Sequence, residues 1–498
     1  VAIVFLDGFD KYGPVNNNAA GVQALLQAEW NTATSGLTIV AALSATGFAV
    51  SMTVGPGTLS KTLAGNYSRL IGGVRISVAS LIQTCGIQFA DVATNQCGIC
   101  INQTTGTFSV RNGAYNSGTV LGTSTTSITA GSTHYLEWDI TFSNTGAYQL
   151  WLDGVSILSG SSVDTTGSAN NYANVFQFVT ANLAVNPTID DFYLFDTTGT
   201  INNAVLLNSP RIETAFPVSD SAVQFAVGAG ILGSSAARVT TTNAPAAGSL
   251  VLRRFTPAVA GTLSSISIMP GATSAGANYR GVVYADSGGT APGTLMSSGT
   301  QVTGVTSGTV ANLPLTTPQS LSAGAQYWIG FINDTSVVLQ QTDAGNLGYR
   351  AANTYASGAP GTAPAMTSGQ ASWLLWGNLT ASGANYDQVN QQPPDGQYSY
   401  VFDATVGHED LYNFPPITTS TVHAVAVKAS LAKSDSGAKT ASIRLKSGTT
   451  NSAGSVASVA PGTTYGWGAT YFATDPDTGA AWTPAGLNAA QAGVRVAS

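Results

Sequence analysis

The chain has 498 residues, of which 8% are charged and 44% hydrophobic, and its formal net charge is −7. An ordinary soluble protein carries roughly 25% charged residues, so this composition argues against Lys/Glu-rich helical architecture. The acidic balance excludes the electrostatic footprint of a nucleic-acid binder.

Gly, Ser, Thr, Ala and Asn fill the space that charge leaves, which predicts many short strands joined by tight turns. Apolar and aromatic residues recur throughout, so the chain is not disordered. Its length predicts roughly two to four domains.

The opening stretch, Val1–Asp10, has no basic region and no cleavage site, so no signal peptide is expected there. The missing initiator Met points to processing or to a numbering that starts inside the gene product. Next, "AAGVQALLQAEW" (19–30) sets Val22, Leu25, Leu26 and Trp30 on one helical face. The apolar run "LTIVAALSATGFAVSM" (37–52) is about 16 residues long, whereas a spanning helix needs about 20. It reads as buried strands, and no membrane insertion is expected.

Cys85, Cys97 and Cys100 follow. "CGIC" resembles half a zinc site, but no second pair exists. On a strand, residues three apart face opposite ways, so buried free thiols are expected.

Alternating segments such as "GIQFADV", "TFSVRNG", "HYLEWDITF", "AYQLWLDG" and "TIDDFYLFD" predict an antiparallel β-sandwich over 1–205. A Gly/Ala/Ser-rich block at 228–383 contains "YRGVVYAD", "GAQYWIGFI" and "SWLLWGNL" and reads as a jelly-roll sandwich. A third sandwich is expected from 206–227 plus 384–498. There Thr483 can cap a short helix with Pro484 at its first position. The fold class is thus all-β, with tandem antiparallel sandwiches. No repeat or heptad pattern appears.

The segment "HYLEWDITFSNTGAYQLWLDG" (134–154) reads as a hairpin. A three-residue loop, Asn144–Gly146 with Gly146 at positive φ, would pair Phe142 with Tyr148, Ile140 with Leu150 and Trp138 with Leu152. Leu136, Trp138, Ile140 and Phe142 then face the core. Glu137, Asp139, Thr141, Gln149, Trp151 and Asp153 form the opposite face, expected to be open. Glu137 and Asp139 would lie roughly 6.7 Å apart along the strand.

Clustered carboxylates suit Ca²⁺, and Asp7, Asp10 and Asp191 (with Asp190) would converge if the first and last strands neighbour each other. Solvated strand-end aspartates are the preferred reading of these residues. His408, Glu409 and Asp410 are adjacent in "GHEDLYNF", but no nucleophile stands near them in sequence and no triad is expected. Tyr327, Trp328, Trp373 and Trp376 read as core aromatics. Trp151, by parity, reads as exposed and is the candidate platform for a sugar ring, with Asp139, Glu137 and Gln149 beside it.

The hairpin, together with the closing "TIDDFYLFDTTG", resembles the concanavalin-like (LamG-type) lectin sandwich. Glycosidases on that fold carry a Glu-x-Asp strand motif with a second Glu two or three residues on. Here Thr141 and Phe142 occupy those positions. The chain has only four glutamates, Glu29, Glu137, Glu213 and Glu409, and none completes the motif.

The first block followed by "DTTGTINNAVLLNSPRIETAFPVSDSAVQF", and the third from "YDQVNQQPPDGQYSYVFDATVGHEDLYNF" through "AKSDSGAKTASIRLKSG" to "DPDTGAAWTPAGLNAAQAGVRV", resemble tailed-bacteriophage virion proteins. In that family "PRIETAFP" runs almost straight into "PPDG…YV", so the middle block is expected to be an insertion, with 209–217 in the sheet of 388–498.

The resemblance implies a non-enzymatic structural protein on a virion surface, either a tail fibre or adhesin or a head decoration or fibre. It implies other virion proteins as partners, homo-oligomers, and host-surface glycans as ligands. It gives no catalytic residues and no cofactor. A secreted bacterial carbohydrate-binding protein and a glycan depolymerase are the competing readings.

Overall fold

Nearly every alternating segment becomes antiparallel sheet in the computed structural model of the chain. The structure describes all residues except 1–2, 15, 17, 45, 54–55, 182–184, 208, 228, 234–237, 258–259, 289–290, 337, 342–347, 371–372, 395–399, 435–436 and 459–464. The chain is all-β and forms two compact units. Val1–Ala222, Gln391–Pro394 and Thr405–Ser498 make the first; Val223–Asn390 and Asp395–Ala404 make the second. Of the strands expected in the third sandwich, those from Glu409 onward group with residues 1–222, whereas Ala226–Val227 and Val401–Phe402 pair with each other in the second unit.

In the first unit, one sheet runs in the order Val155–Val163, Gly146–Leu152, Thr133–Thr141, Arg69–Val78, Pro187–Phe195, Phe48–Met52, Leu37–Ala41, with Ile3–Asp7 also on Pro187–Phe195. A second sheet faces it: Thr119–Ser127, Thr107–Asn112, Thr94–Ile101, Cys85–Asp91, Ala173–Thr180, Gly57–Tyr67, Thr32–Ala33. Between them lies an aromatic core built on Trp138, Phe89, Phe176, Phe178 and Phe192, with the Phe176 and Phe192 rings stacked 4.6 Å apart. Burying such a side chain contributes roughly 1.5–3 kcal/mol. The helix spans Ala19–Gln27 and buries Val22 and Leu26; Trp30 follows it and is fully buried.

The C-terminal strands add a five-stranded sheet: Ser219–Ala222, Glu409–Asn413, Gln491–Val496, Thr440–Ser447, Thr450–Ser458. A hairpin of Val425–Leu431 with Gly466–Phe472 accompanies it. Residues 209–217 form no strand. The pairing falls instead on 219–222 against Glu409–Asn413, preceded by a Val218 N–H to Asn413 carbonyl bond of 2.9 Å. The short helix Pro484–Asn488 is capped by Thr483, whose Oγ1 accepts the Gly486 N–H at 3.0 Å.

The second unit packs the sheet Ala229–Gly233, Leu375–Ala381, Gly261–Ile268, Ala311–Leu321 around one core with the sheet Pro292–Ser298, Ser274–Asp286, Tyr327–Asn333, Ser249–Phe255, Gly348–Ala352, Thr367–Gln370. Trp373 lies in that core, Trp328 is buried in a second cluster with Leu250, Leu252, Val282, Tyr284 and Ile332, and Trp376 is also buried.

The hairpin register departs from expectation by two residues. Ile140 pairs with Tyr148, Trp138 with Leu150, and Leu136 with Leu152. Gly146 is a strand residue opposite Val163 and is not at positive φ. The connection is closed from outside the hairpin. Thr165 donates its hydroxyl to the Thr141 carbonyl at 2.6 Å and accepts the Ser143 N–H at 3.0 Å. A Cβ on Gly146 would stand 2.3 Å from the Thr165 hydroxyl. A shift of two preserves side-chain alternation, so the core face is as expected.

Candidate functional site

The outer face of the first sheet divides into a covered part and an open part. Gly72 and Gly73 make the covered part possible. A Cβ on Gly72 would strike Trp138 on the inner face at 2.3 Å, and one on Gly73 would strike Tyr193 and Tyr135 on the outer face at 2.5 and 2.8 Å. Without those Cβ atoms, large rings lie flat on both sides of one strand. Ile3, Leu6, Ile71, Tyr135, Tyr193 and Phe195 form a second, smaller core on the outer face, overlaid by Val205, Leu206, Ile212, Ala424, Ala426 and Tyr471.

This cover corrects the expected open acidic face. Glu137 is fully buried. Its Oε1 accepts the Tyr193 hydroxyl at 2.6 Å and the N–H groups of Leu206 and Leu207 at 3.0 and 3.1 Å. Asp191 accepts the Ile212 N–H at 2.8 Å and pairs with Arg75 at 2.8 Å; Asp10 accepts the N–H groups of Phe48 at 2.8 Å and Thr214 at 3.2 Å. Leu206, Leu207, Ile212 and Thr214 thus give their backbone N–H groups to side-chain carboxylates of the sandwich, and Ile212 and Thr214 are two of the donors expected to enter a strand ladder.

The three candidate calcium aspartates do not form a ligand set. Asp7 accepts the Phe9 N–H at 3.0 Å, Lys11 Nζ at 2.6 Å, the Tyr12 hydroxyl at 3.0 Å and Trp30 Nε1 at 2.9 Å. Asp10 and Asp191 serve the 205–214 segment, and no metal-competent group of three or more His, Cys, Asp or Glu occurs among the described residues. Asp190, between them, accepts the Leu43 N–H at 2.9 Å. Burial first, then the neighbouring Asp191 and Asp10 charges, push its carboxyl up to about 7.

Asp7 belongs to a buried ionic cluster that sequence reasoning missed. Lys11 lies 2.6 Å from Asp7 and 2.7 Å from Glu29, and Lys428 lies 2.5 Å from Glu29. Burial pushes the Glu29 carboxyl up, but Lys11 and Lys428 outweigh it and hold the pKa down at about 2. No spacing signals this cluster. Its only trace is charge in apolar surroundings, "QAEW" and "AVKAS", within a chain that has little charge.

The open part keeps three of the four predicted binding residues. Trp151, Gln149 and Asp139 are half-exposed. Gln149 stands directly across from Asp139, and Trp151 across from Glu137. That places Trp151 diagonal to Asp139, a separation of about 7–8 Å. Arg69 grips Asp139 through two bonds, 2.8 Å from Nε and 2.5 Å from Nη2. Gln149 Nε2 donates to Ser156 Oγ at 3.1 Å. The patch therefore offers an indole ring beside a fixed planar carboxylate–guanidinium pair and an amide. It can present a stacking surface and directional polar groups to a ligand.

Elsewhere, Glu409 is held by Arg444 at 3.0 Å and Asn451 at 2.9 Å, and Asp410 accepts the Tyr412 hydroxyl at 3.0 Å. The three cysteines are free and buried, with Cys97 in the sandwich core and its thiol pushed up to about 12 by burial.

No family model matches the chain, and no curated protein matches it. Among solved structures, an endo-β-1,4-glucuronan lyase from the fungus Trichoderma reesei is similar over 37% of this chain and 96% of its own, at 14% identity and a TM-score of 0.27. Carbohydrate-binding module CBM66 from Bacillus subtilis matches 32% of this chain and 96% of its own, at 9% identity and a TM-score of 0.23. The receptor-binding domain of a botulinum neurotoxin C/D mosaic serotype matches 33% and 43%, at 12% and 0.25. Likeness at this level carries no functional argument.

Proposed function

We propose that the chain is a non-enzymatic structural protein on the surface of a tailed-phage particle, and that it binds host-surface glycans through the open face around Trp151. The observation that carries the binding is the half-exposed indole beside the doubly bonded Arg69–Asp139 pair and Gln149. An aromatic ring accepts the apolar face of a sugar, while pre-oriented carboxylate, guanidinium and amide groups discriminate hydroxyls.

The glutamates favour binding over glycoside cleavage. Glu137 is fully buried and engaged, Glu29 is locked between two lysines, and Glu409 is held by Arg444 and Asn451. Glu213, paired with Arg211 at 2.8 Å, is the one exposed glutamate, so no two glutamates make the flanking carboxyl pair that glycoside cleavage uses.

The virion setting rests on the sequence resemblance of the first and third blocks. Mass spectrometry of purified particles, with antibody labelling of intact ones, tests it. The chain is expected in the particles and labelled on their exterior. Recovery only as a free secreted protein contradicts the setting.

A further inference from the structure

A second polar surface lies on the other sheet of the first unit, where the ladder between Gly57–Tyr67 and Ala173–Thr180 breaks. Thr62 pairs with Val175 and Tyr67 with Ala173, so the longer strand runs five residues where its partner runs two. Leu63, Ala64, Gly65 and Asn66 are thrown out of register as a large bulge, a device that re-aims side chains beside functional sites. The bulge walls a cleft of about 420 Å³, within the range of about 300–1,000 Å³ that ligand pockets occupy.

The opposite wall is fixed by an unusual turn. Val92 has φ of +53° and is 75% exposed, a strained conformation for a β-branched residue. Asn174 holds it there by accepting the Val92 N–H at 2.7 Å, while its own amide donates to Asn66 at 3.0 Å and Asp91 at 3.1 Å. The two walls are therefore tied together through one side chain, in advance of any ligand.

We propose that this cleft binds a neutral, hydroxyl-rich ligand, a short run of uncharged glycan. Its floor and rim carry the hydroxyls of Thr32, Ser60 and Thr62 and the amides of Asn66 and Gln177, while the Asn174 amide is spent on holding the two walls. No Asp, Glu, Lys or Arg lines it, so a charged ligand would meet no counter-ion there. Asp91, behind the rim, has both carboxylate oxygens engaged by Asn170 and Asn174. Exposed Val92 supplies an apolar edge for the C–H face of a ring. The site is distinct from the Trp151 face and does not depend on it.

Saturation-transfer NMR and calorimetry on the full chain test this with neutral hexasaccharides of glucose, galactose, mannose and N-acetylglucosamine, and with a hexagalacturonate as the charged control. At least one neutral hexasaccharide should bind. Thr62→Trp, which fills the cleft from an exposed position, and Gln177→Ala should each weaken it about tenfold with the unfolding temperature unchanged. Trp151→Ala should leave a cleft-bound fraction intact. The proposal is overturned if no neutral member binds, if both cleft variants bind as the parent does, or if the hexagalacturonate competes equally. Loss of all binding in Trp151→Ala alone overturns the cleft and leaves the Trp151 reading standing.

Discussion

Lys428 Nζ lies 2.5 Å from Glu29 Oε1 across 399 residues of sequence, and it also donates to the Leu6 carbonyl at 2.7 Å. Burial pulls the Lys428 ammonium down, but the Glu29 and Asp7 charges outweigh it and hold its pKa above the ordinary lysine value. Without Lys428, the buried Asp7 and Glu29 carboxylates would share the Lys11 ammonium, and breaking a buried ionic network in this way costs about 3 kcal/mol. Lys428→Met should therefore destabilise the first unit by about that much in denaturant unfolding. A change below about 1 kcal/mol would mean that the cluster does not tie residues 405–498 to the N-terminal sandwich.

Glu137 is expected to act in stability and not in turnover. Glu137→Ala removes the acceptor of the Tyr193 hydroxyl and of the Leu206 and Leu207 N–H groups. Leaving buried donors unpaired costs about 1–3 kcal/mol each, so a loss on the order of 3 kcal/mol is expected in urea melts. Glycan binding at Trp151, measured well below the melting transition, should persist. A fall in binding with unchanged stability would place Glu137 at the ligand.

Asp190 makes the first unit lose stability as pH rises from mild acid to neutrality. Its carboxyl sits near 7 in the folded chain against 3.8 ordinarily. Between those values the folded state holds a proton that the unfolded state has lost. Stability is therefore gained as pH falls through 7 and lost as pH rises through it. The difference between about pH 8 and about pH 5.5 should be on the order of 1–2 kcal/mol. Asp190→Asn should make the profile less steep over that window, where the buried Asp10 and Asp191 carboxyls are raised in the same direction, while the acid limb that begins near 4.5 with protonation of Glu29 stays. A profile that is unchanged in Asp190→Asn contradicts the assignment.

The thiols should be silent in the folded protein. Cys85, Cys97 and Cys100 are buried, and burial raises all three pKa values. The thiolate is the reactive form. Ellman's reagent should label none of the three in native buffer and all three in guanidinium. Rapid native labelling at any one would show that the sandwich opens there.

Much of this fold was legible because a period of two is a strong signal when one face must be dry. The hairpin's Leu136, Trp138 and Ile140 went to the core as read, and Thr483 caps the last helix as read. The register was not legible. It is set by Thr165, which lies beyond the hairpin in sequence and closes the connection with its hydroxyl. Nor was the fate of the acids. Whether a polar sheet face meets water depends on what lies over it, and here the cover comes from 205–214 and from the Val425–Leu431 and Gly466–Phe472 hairpin. Glu137 was lost to that cover, whereas Trp151, Gln149 and Asp139, beyond its edge, remain accessible.

Whether the Trp151 face binds glycan without cleaving it is tested most directly by calorimetric titration of the full chain and of Trp151→Ala with purified bacterial surface polysaccharide, with reducing ends assayed in the same samples. Binding by the parent, weakened at least about tenfold in Trp151→Ala, with no rise in reducing ends, is the predicted result. Equal binding by both proteins, or reducing ends that accumulate with time, would contradict it.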